Sequence, residues 1–146
     1  MPAKHMPQLL SVMTPFPHQI DAGESIDAAL ALMAKHNIRH LPVLIDGNIE
    51  TIISDRDIKR AQLIGHRGST SDEWSVGDIS QASAYFADVS DPLDQVLELM
   101  IKKQVEALVV LKDGAAAGIF TDTDACKVLV ELLKSNYQPP VDDNAA

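Results

Sequence analysis

Apolar residues recur at helical spacing in two separate stretches of the chain. In residues 25–37 they fall at positions i, i+3, i+4 and i+7, which is the spacing of one buried face of an α-helix. The first set is Ile26, Ala29, Leu30 and Met33. Residues 92–104 repeat the spacing, and the second set is Leu93, Val96, Leu97 and Met100. The pattern predicts two amphipathic helices, each with one face in a hydrophobic core.

The residues in front of these stretches predict how the helices begin. Ser25 or Glu24 precedes the first stripe, and serine is a preferred N-cap residue. Asp91 and Pro92 precede the second stripe. Because proline suits the first helical turn and aspartate suits the cap before it, we expect Asp91 to cap the second helix.

Each predicted helix is followed by two apolar runs that an Asp-Gly pair separates. These pairs are Asp46-Gly47 and Asp113-Gly114. An Asp-Gly pair between apolar runs is a strong signal for a two-residue β-hairpin. The sequence therefore predicts two hairpins.

The chain is a tandem repeat. A shift of 67 positions, the difference between 55 and 122, superimposes helix, hairpin and following helix without a gap. Asp55 and Asp57 then meet Asp122 and Asp124, where the second helix of each unit should start. Each unit is a short extended lead-in, a helix, a hairpin and a helix, so we expect a mixed α/β (α+β) fold. Because a unit of about 60 residues is marginally stable alone, the two units should pack face to face with pseudo-twofold symmetry.

The repeat and the polar segments that follow each copy set the expected domain boundaries. Residues 1–64 form the first unit and residues 76–134 the second. Residues 65–75 are rich in glycine, serine and charge, which is typical of a linker. Residues 135–146 are polar and contain proline, so we expect a disordered C-terminal tail.

Composition excludes several classes of protein. The net charge is −9 and no lysine–arginine cluster is present, so we expect no binding to nucleic acid. The apolar runs are shorter than the roughly 20 residues that span a bilayer, and no signal peptide is recognisable. Cys126 is the single cysteine, which suits a reducing compartment and predicts a cytoplasmic protein. Because Cys126 lies in an apolar helix, we expect a buried, inert thiol.

Short motifs in both units resemble the CBS (cystathionine-β-synthase) domain. The first unit contains "VMTPFP", "NIRHLPVL" and "TIISDRDI", and the second contains "VGDIS", "QVEALVVL" and "GIFTDTDA". In this order and spacing the chain resembles a tandem CBS pair, or Bateman module, over about residues 9–134. The resemblance implies a regulatory sensor and no enzyme. It also implies an adenosyl ligand such as AMP, ATP, ADP or S-adenosylmethionine, no required cofactor, a homodimer and an unidentified effector protein.

The resemblance also implies where the ligand binds. A Ser/Thr-x-x-Asp motif would grip the ribose, through Ser54 and Asp57 in the first unit and through Thr121 and Asp124 in the second. A carboxylate can accept charge-assisted hydrogen bonds from ribose hydroxyls, and the following helix N-terminus favours phosphate. The same residue types at a strand-to-helix junction are also what N-capping requires, and that alternative stays open.

Further ligand contacts are implied on both units. Apolar groups and backbone of the lead-ins would hold adenine, and residues entering each hairpin would complete the clefts. The implied residues are Thr14, Phe16, His18, Ile20, Tyr85 and Ala87 in the lead-ins, Ile38, Arg39, His40, Val105, Glu106 and Ala107 before the hairpins, and Arg56 after the first.

The two copies differ where a phosphate should lie. Arg39, His40 and Arg56 of the first unit align with Glu106, Ala107 and Thr123 of the second. Because arginine recognises phosphate in a bidentate manner, we expect the Ser54–Asp57 site to prefer a phosphorylated nucleotide. The Thr121–Asp124 site should be weaker, empty or occupied by a less anionic ligand.

Two alternatives complete the sequence predictions. His36 and His40 have a spacing that zinc sites use, but no third ligand is evident, so we expect no metal. The chain could instead be an oligomerisation or protein-interaction module with vestigial clefts. Under either hypothesis, apolar residues of the later helices could be buried against another chain; these are Ile58, Ala61, Leu63, Val128, Leu132 and Leu133.

Overall fold

A computed structural model describes residues 4–15, 18–64, 74–80 and 83–141. Six helices and seven strands are defined in these residues. The elements, in chain order, are α1 (Leu9–Val12), β1 (Thr14–Pro15), β2 (Ile20–Asp21), α2 (Ile26–His36), β3 (His40–Ile45), β4 (Asn48–Ser54), α3 (Asp55–Ile64), α4 (Val76–Ile79), β5 (Phe86–Asp88), α5 (Leu93–Lys103), β6 (Ala107–Lys112), β7 (Ala115–Thr121) and α6 (Asp122–Asn136).

The strands form two sheets with related topology. The first sheet has the order β2-β3-β4 and the second has the order β1-β7-β6-β5. In each sheet the lead-in strand runs parallel to the first hairpin strand, and the hairpin itself is antiparallel. A register shift occurs at equivalent points of the two hairpins, after Val43 and after Val110. The predicted mixed α/β fold with two repeated units is confirmed.

Both predicted hairpins are present, and their turns explain the Asp-Gly pairs. Asp46 and Gly47 have φ angles of 51° and 83°, and Asp113 and Gly114 have φ angles of 52° and 80°. Two successive residues with positive φ define the type I′ turn, whose twist matches that of the flanking strands. The turn therefore fixes the hairpin register locally in each unit.

The helix starts follow the sequence in one unit and depart from it in the other. Ser25 caps α2, because its side chain accepts a hydrogen bond from Ala28 N. The prediction that Asp91 caps α5 is wrong. Pro92 holds the N-cap position, and the Asp91 carboxylate instead accepts from Asp88 N at 2.9 Å. The acidic side chain thus closes the turn before the helix rather than the helix itself.

Two hydrophobic cores lie between sheets and helices. The first contains Ile26, Ala29 and Met33 of the predicted α2 stripe, and the second contains Leu93, Val96 and Met100 of the α5 stripe. Strand residues fill the rest: Ile20, Leu41, Val43 and Ile53 in the first core, and Ala87, Leu108, Val110 and Phe120 in the second. Ile58 is fully buried in the first core, so the expectation that it faces another chain is wrong.

Short segments in front of each unit pack into the core of the other unit. Leu9 of α1 is fully buried in the second core, and Val76 of α4 is fully buried in the first. Strand β1 pairs with β7, so Pro15 lies opposite Gly118. The predicted boundaries at 1–64 and 76–134 therefore follow the sequence repeat, whereas the packing exchanges these segments between the units. Helix α6 also continues two residues beyond the expected boundary, to Asn136.

Candidate functional site

Both Ser/Thr-x-x-Asp motifs form reciprocal capping boxes at strand-to-helix junctions. At the first site, Ser54 N donates to Asp57 Oδ2 at 3.0 Å and Asp57 N donates to Ser54 Oγ at 3.1 Å. At the second site, Thr121 N donates to Asp124 Oδ2 at 3.0 Å and Asp124 N donates to Thr121 Oγ1 at 3.2 Å. The capping interpretation is therefore confirmed for both motifs, and any ligand contact would be an additional role.

Asp55 takes no part in the capping box of the first site. It is the first residue of α3, and its Oδ2 lies 3.8 Å from Lys59 Nζ, one helical turn further on. The free amide groups at the start of α3 are satisfied in part by Ser54, and Asp55 forms an exposed i,i+4 ion pair instead.

The second site carries one interaction that sequence reasoning missed. Thr14 of β1 donates its hydroxyl to Asp124 Oδ1 at 3.0 Å. Asp124 is 5% exposed, and both of its oxygens accept hydrogen bonds from protein groups. A ribose at this site would have to compete with Thr14. The pairing was not visible in the sequence because it depends on the exchange of the N-terminal segment.

The first site brings a histidine, an arginine and a glutamate together. His40 lies opposite Ser54 in the β3–β4 ladder, and its side chain is 14% exposed. Arg56 in the first turn of α3 places Nη1 3.0 Å from Glu106 Oε1. Glu106 Oε2 lies 4.0 Å from His40 Nε2, which is too long for a hydrogen bond. Among the described residues, buried His40 Nε2 has no hydrogen-bond partner.

Glu106 thus bridges the two units. It belongs to the second unit, immediately before β6, but its side chain lies against Arg56 and His40 of the first unit. Its backbone is held at the second site, where Glu106 O accepts from Asp122 N at 2.9 Å. Arg39 occupies the equivalent place in the first unit, where its carbonyl accepts from Asp55 N at 3.0 Å.

The remaining predicted ligand residues differ in how accessible they are. Tyr85 is 41% exposed, and its carbonyl accepts from Val109 N in front of β5. The neighbouring Ala84 N donates to Glu50 O at 2.8 Å, which attaches this lead-in to β4 of the other unit. Ala107 is buried opposite Thr121, and Ile20 is buried in the first core. Ile38 and Val105 are half-buried after α2 and α5, and Phe16 lies outside the described residues.

His18 and His36 form a stacked pair within the first unit. Their ring centroids are 3.4 Å apart and the ring planes differ by 9°. Burial lowers the pKa of His36 below its ordinary value of 6.5, and the neighbouring His18 and Lys35 lower it further by electrostatic repulsion. His36 and His40 therefore do not act together: one stacks on the lead-in, and the other faces Glu106.

Three further observations concern metal, cysteine and membrane. Within the described ranges, no group of three histidine, cysteine or acidic side chains is placed to hold a metal ion. The expectation of a buried thiol is wrong, because Cys126 is exposed. Val130 and Leu132 on the same helix are exposed too, so α6 is less buried than its apolar composition predicts. None of the helices in the described part of the chain is long and apolar enough to cross a membrane.

Comparison with known proteins identifies the family. A sequence model of the CBS domain matches residues 9–64 and again residues 76–131. The chain belongs to the CBS domain family. Hypoxic response protein 1 of Mycobacterium tuberculosis is 28% identical over 109 residues, which cover 74% of this chain and 75% of that protein.

Solved structures share the fold of the CBS pair. The CBS domain pair of protein MJ0100, in complex with 5-methylthioadenosine and S-adenosyl-L-methionine, superposes with a TM-score of 0.77 at 23% identity. That match covers 88% of this chain and 99% of the other. CBSX2 in complex with AMP superposes with a TM-score of 0.70 at 23% identity, again over 88% and 99% of the two chains.

Proposed function

We propose that this CBS pair is a regulatory sensor that binds an adenosyl ligand at the Ser54–Asp57 site and thereby modulates an effector protein. The observation that carries the proposal is His40 Nε2, a buried polar atom that has no hydrogen-bond partner among the described residues. Buried polar atoms are nearly always paired, and a ligand group at this site would supply the partner that His40 Nε2, opposite Ser54 in the ladder, lacks among the described residues. The adenosyl compounds bound by MJ0100 and CBSX2 support this ligand class.

Asp57 can hold a ribose and cap α3 at the same time. A carboxylate has about four acceptor positions. Among bonds between described residues, Asp57 accepts one, from Ser54 N. Ribose hydroxyls would donate to the remaining positions, and the start of α3 would favour a phosphate through its positive end. We propose no catalytic step and no required cofactor.

Isothermal titration calorimetry with AMP, ADP, ATP and S-adenosylmethionine tests the assignment. Asp57→Asn keeps an oxygen that can cap Ser54 N but loses the carboxylate charge, so binding should weaken about 10- to 100-fold. Asp78→Asn is the matched control, because Ser75 and Asp78 form the same capping box at the start of a different helix, α4. Unchanged affinity in Asp57→Asn, or an equal loss in Asp78→Asn, would show that Asp57 does not bind ligand.

A second candidate function is assembly, and it is favoured by the apolar surface of α6. Five large apolar side chains of this region are exposed: Leu129, Val130, Leu132, Leu133 and Tyr137. Contiguous exposed apolar surface of this kind is typical of protein–protein contacts. We propose that α6 pairs two copies of the chain into a homodimer, in the cytoplasm, where reducing conditions keep Cys126 a free thiol. Assembly and ligand sensing are compatible.

A further inference from the structure

We propose that Glu106 is a built-in anion at the first site, and that a ligand phosphate binds by replacing its carboxylate on Arg56 and His40. This inference rests on the proposed function and names the residue that sets which adenosyl ligands the site accepts. The two Glu106 oxygens face the two nitrogen atoms separately, Oε1 at 3.0 Å from Arg56 Nη1 and Oε2 at 4.0 Å from His40 Nε2. A phosphate presents several anionic oxygens and can contact both groups in the same way.

Glu106 satisfies only one of these two groups. Its contact with Arg56 has hydrogen-bond length, whereas His40 Nε2 remains buried and without a partner among the described residues. An unsatisfied buried polar atom is unfavourable, so a ligand oxygen that reaches His40 gains an interaction that Glu106 does not make. The site is therefore better matched to a ligand anion than to its own carboxylate.

Replacement of Glu106 requires only a side-chain movement. The Arg56 and Glu106 side chains are 73% and 49% exposed, and exposed ion pairs are weak. The Glu106 backbone stays anchored, because its carbonyl accepts from Asp122 N. Glu106 thus lowers the affinity for phosphate without closing the site. A neutral adenosyl ligand leaves the Arg56–Glu106 pair intact and does not compete with it.

The chain provides a matched pair of variants for a test. Glu106→Gln removes the competing charge with little change of shape, and Glu131→Gln removes one charge from an exposed position on α6. Binding of AMP, adenosine and inorganic pyrophosphate is measured by calorimetry for each protein. Glu106→Gln should bind AMP and pyrophosphate about three- to fivefold more tightly than the unchanged protein, and adenosine within about twofold of it. Adding Arg56→Gln to Glu106→Gln should remove the gain.

The outcomes separate this inference from the proposed function. If AMP and adenosine bind but Glu106→Gln gives no gain for AMP or pyrophosphate, or no more than Glu131→Gln, the built-in anion is refuted and the adenosyl site stands. If neither AMP nor adenosine binds while pyrophosphate gains in Glu106→Gln, the adenosyl function is refuted and the anion site stands. If pyrophosphate, AMP and adenosine bind to none of the proteins, both are refuted.

Discussion

Replacing Gly118 with alanine tests whether the exchanged N-terminal segment stabilises the fold. An added Cβ at this position would lie 2.5 Å from Thr14 O and 2.9 Å from Met13 Sδ. The first contact is with a backbone oxygen in β1, which cannot rotate away as a flexible side chain does. Strand β1 would therefore have to move away from β7, and the two residue pairs between them would be strained or lost.

The expected cost follows from these contacts. Overpacking in a well-packed region costs about 1–3 kcal/mol. Each disrupted hydrogen bond adds about 0.5–1.5 kcal/mol, and the Thr14–Asp124 bond is coupled to the same strand. The free energy of unfolding should fall by about 2–4 kcal/mol, which corresponds to a melting temperature lower by roughly 5–15 °C for a chain of this size.

Thermal denaturation followed by circular dichroism measures the effect. Gly23→Ala is the control, because the nearest atom to its added Cβ is the Asp21 side-chain Oδ1 at 3.3 Å. This substitution should leave the melting temperature within about 1–2 °C, since alanine also reduces the entropy of the unfolded chain. A Gly118→Ala protein that melts within about 2 °C of the unchanged protein would refute the proposed role of the β1–β7 crossing.

Two further predictions concern pH and assembly. Because the pKa of His36 is lowered in the folded protein, the unfolded state takes up its proton first as the pH falls below 6.5, so stability should fall with it. His36→Gln should flatten the dependence of melting temperature on pH between about 7 and 5, whereas His5→Gln should not; parallel curves would contradict this. For assembly, Leu132→Glu with Leu133→Glu should convert a dimer to a monomer in light scattering, and an unchanged mass would exclude α6 as the interface.

The parts of the fold that could be predicted are those that short stretches of chain determine. The Asp-Gly pairs impose positive φ at both central turn residues, and this fixes each hairpin regardless of its surroundings. The α2 and α5 stripes likewise need only the 3.6-residue period to identify their buried faces. The burial of Leu9 in the opposite core was not predictable, because an apolar residue carries no signal of which core it will join.

The wrong predictions for Asp91 and Cys126 share a physical cause. The sequence neighbours of Asp91 and Cys126 predict a cap before proline and a buried thiol among apolar residues, and both predictions are wrong. In the structure Asp91 accepts from Asp88 N, and Cys126 is exposed on a helix whose apolar residues are themselves largely exposed. Local sequence specified the chemistry of these side chains but not their partners, which depend on the surrounding tertiary structure.

The motif that first suggested a ligand site does not identify one by itself. The same Ser/Thr-x-x-Asp capping box occurs at Ser54, at Ser75 and at Thr121, and the box at Ser75 begins a helix at which we predict no ligand. What distinguishes the first site is the group opposite Ser54 in the ladder: half-buried His40 there, and Ala107 at the equivalent place opposite Thr121. At the second site, Thr14 instead donates a hydrogen bond to the carboxylate of buried Asp124. The functional difference that we propose between the units therefore depends on the residues around the repeated motif, where the two copies differ.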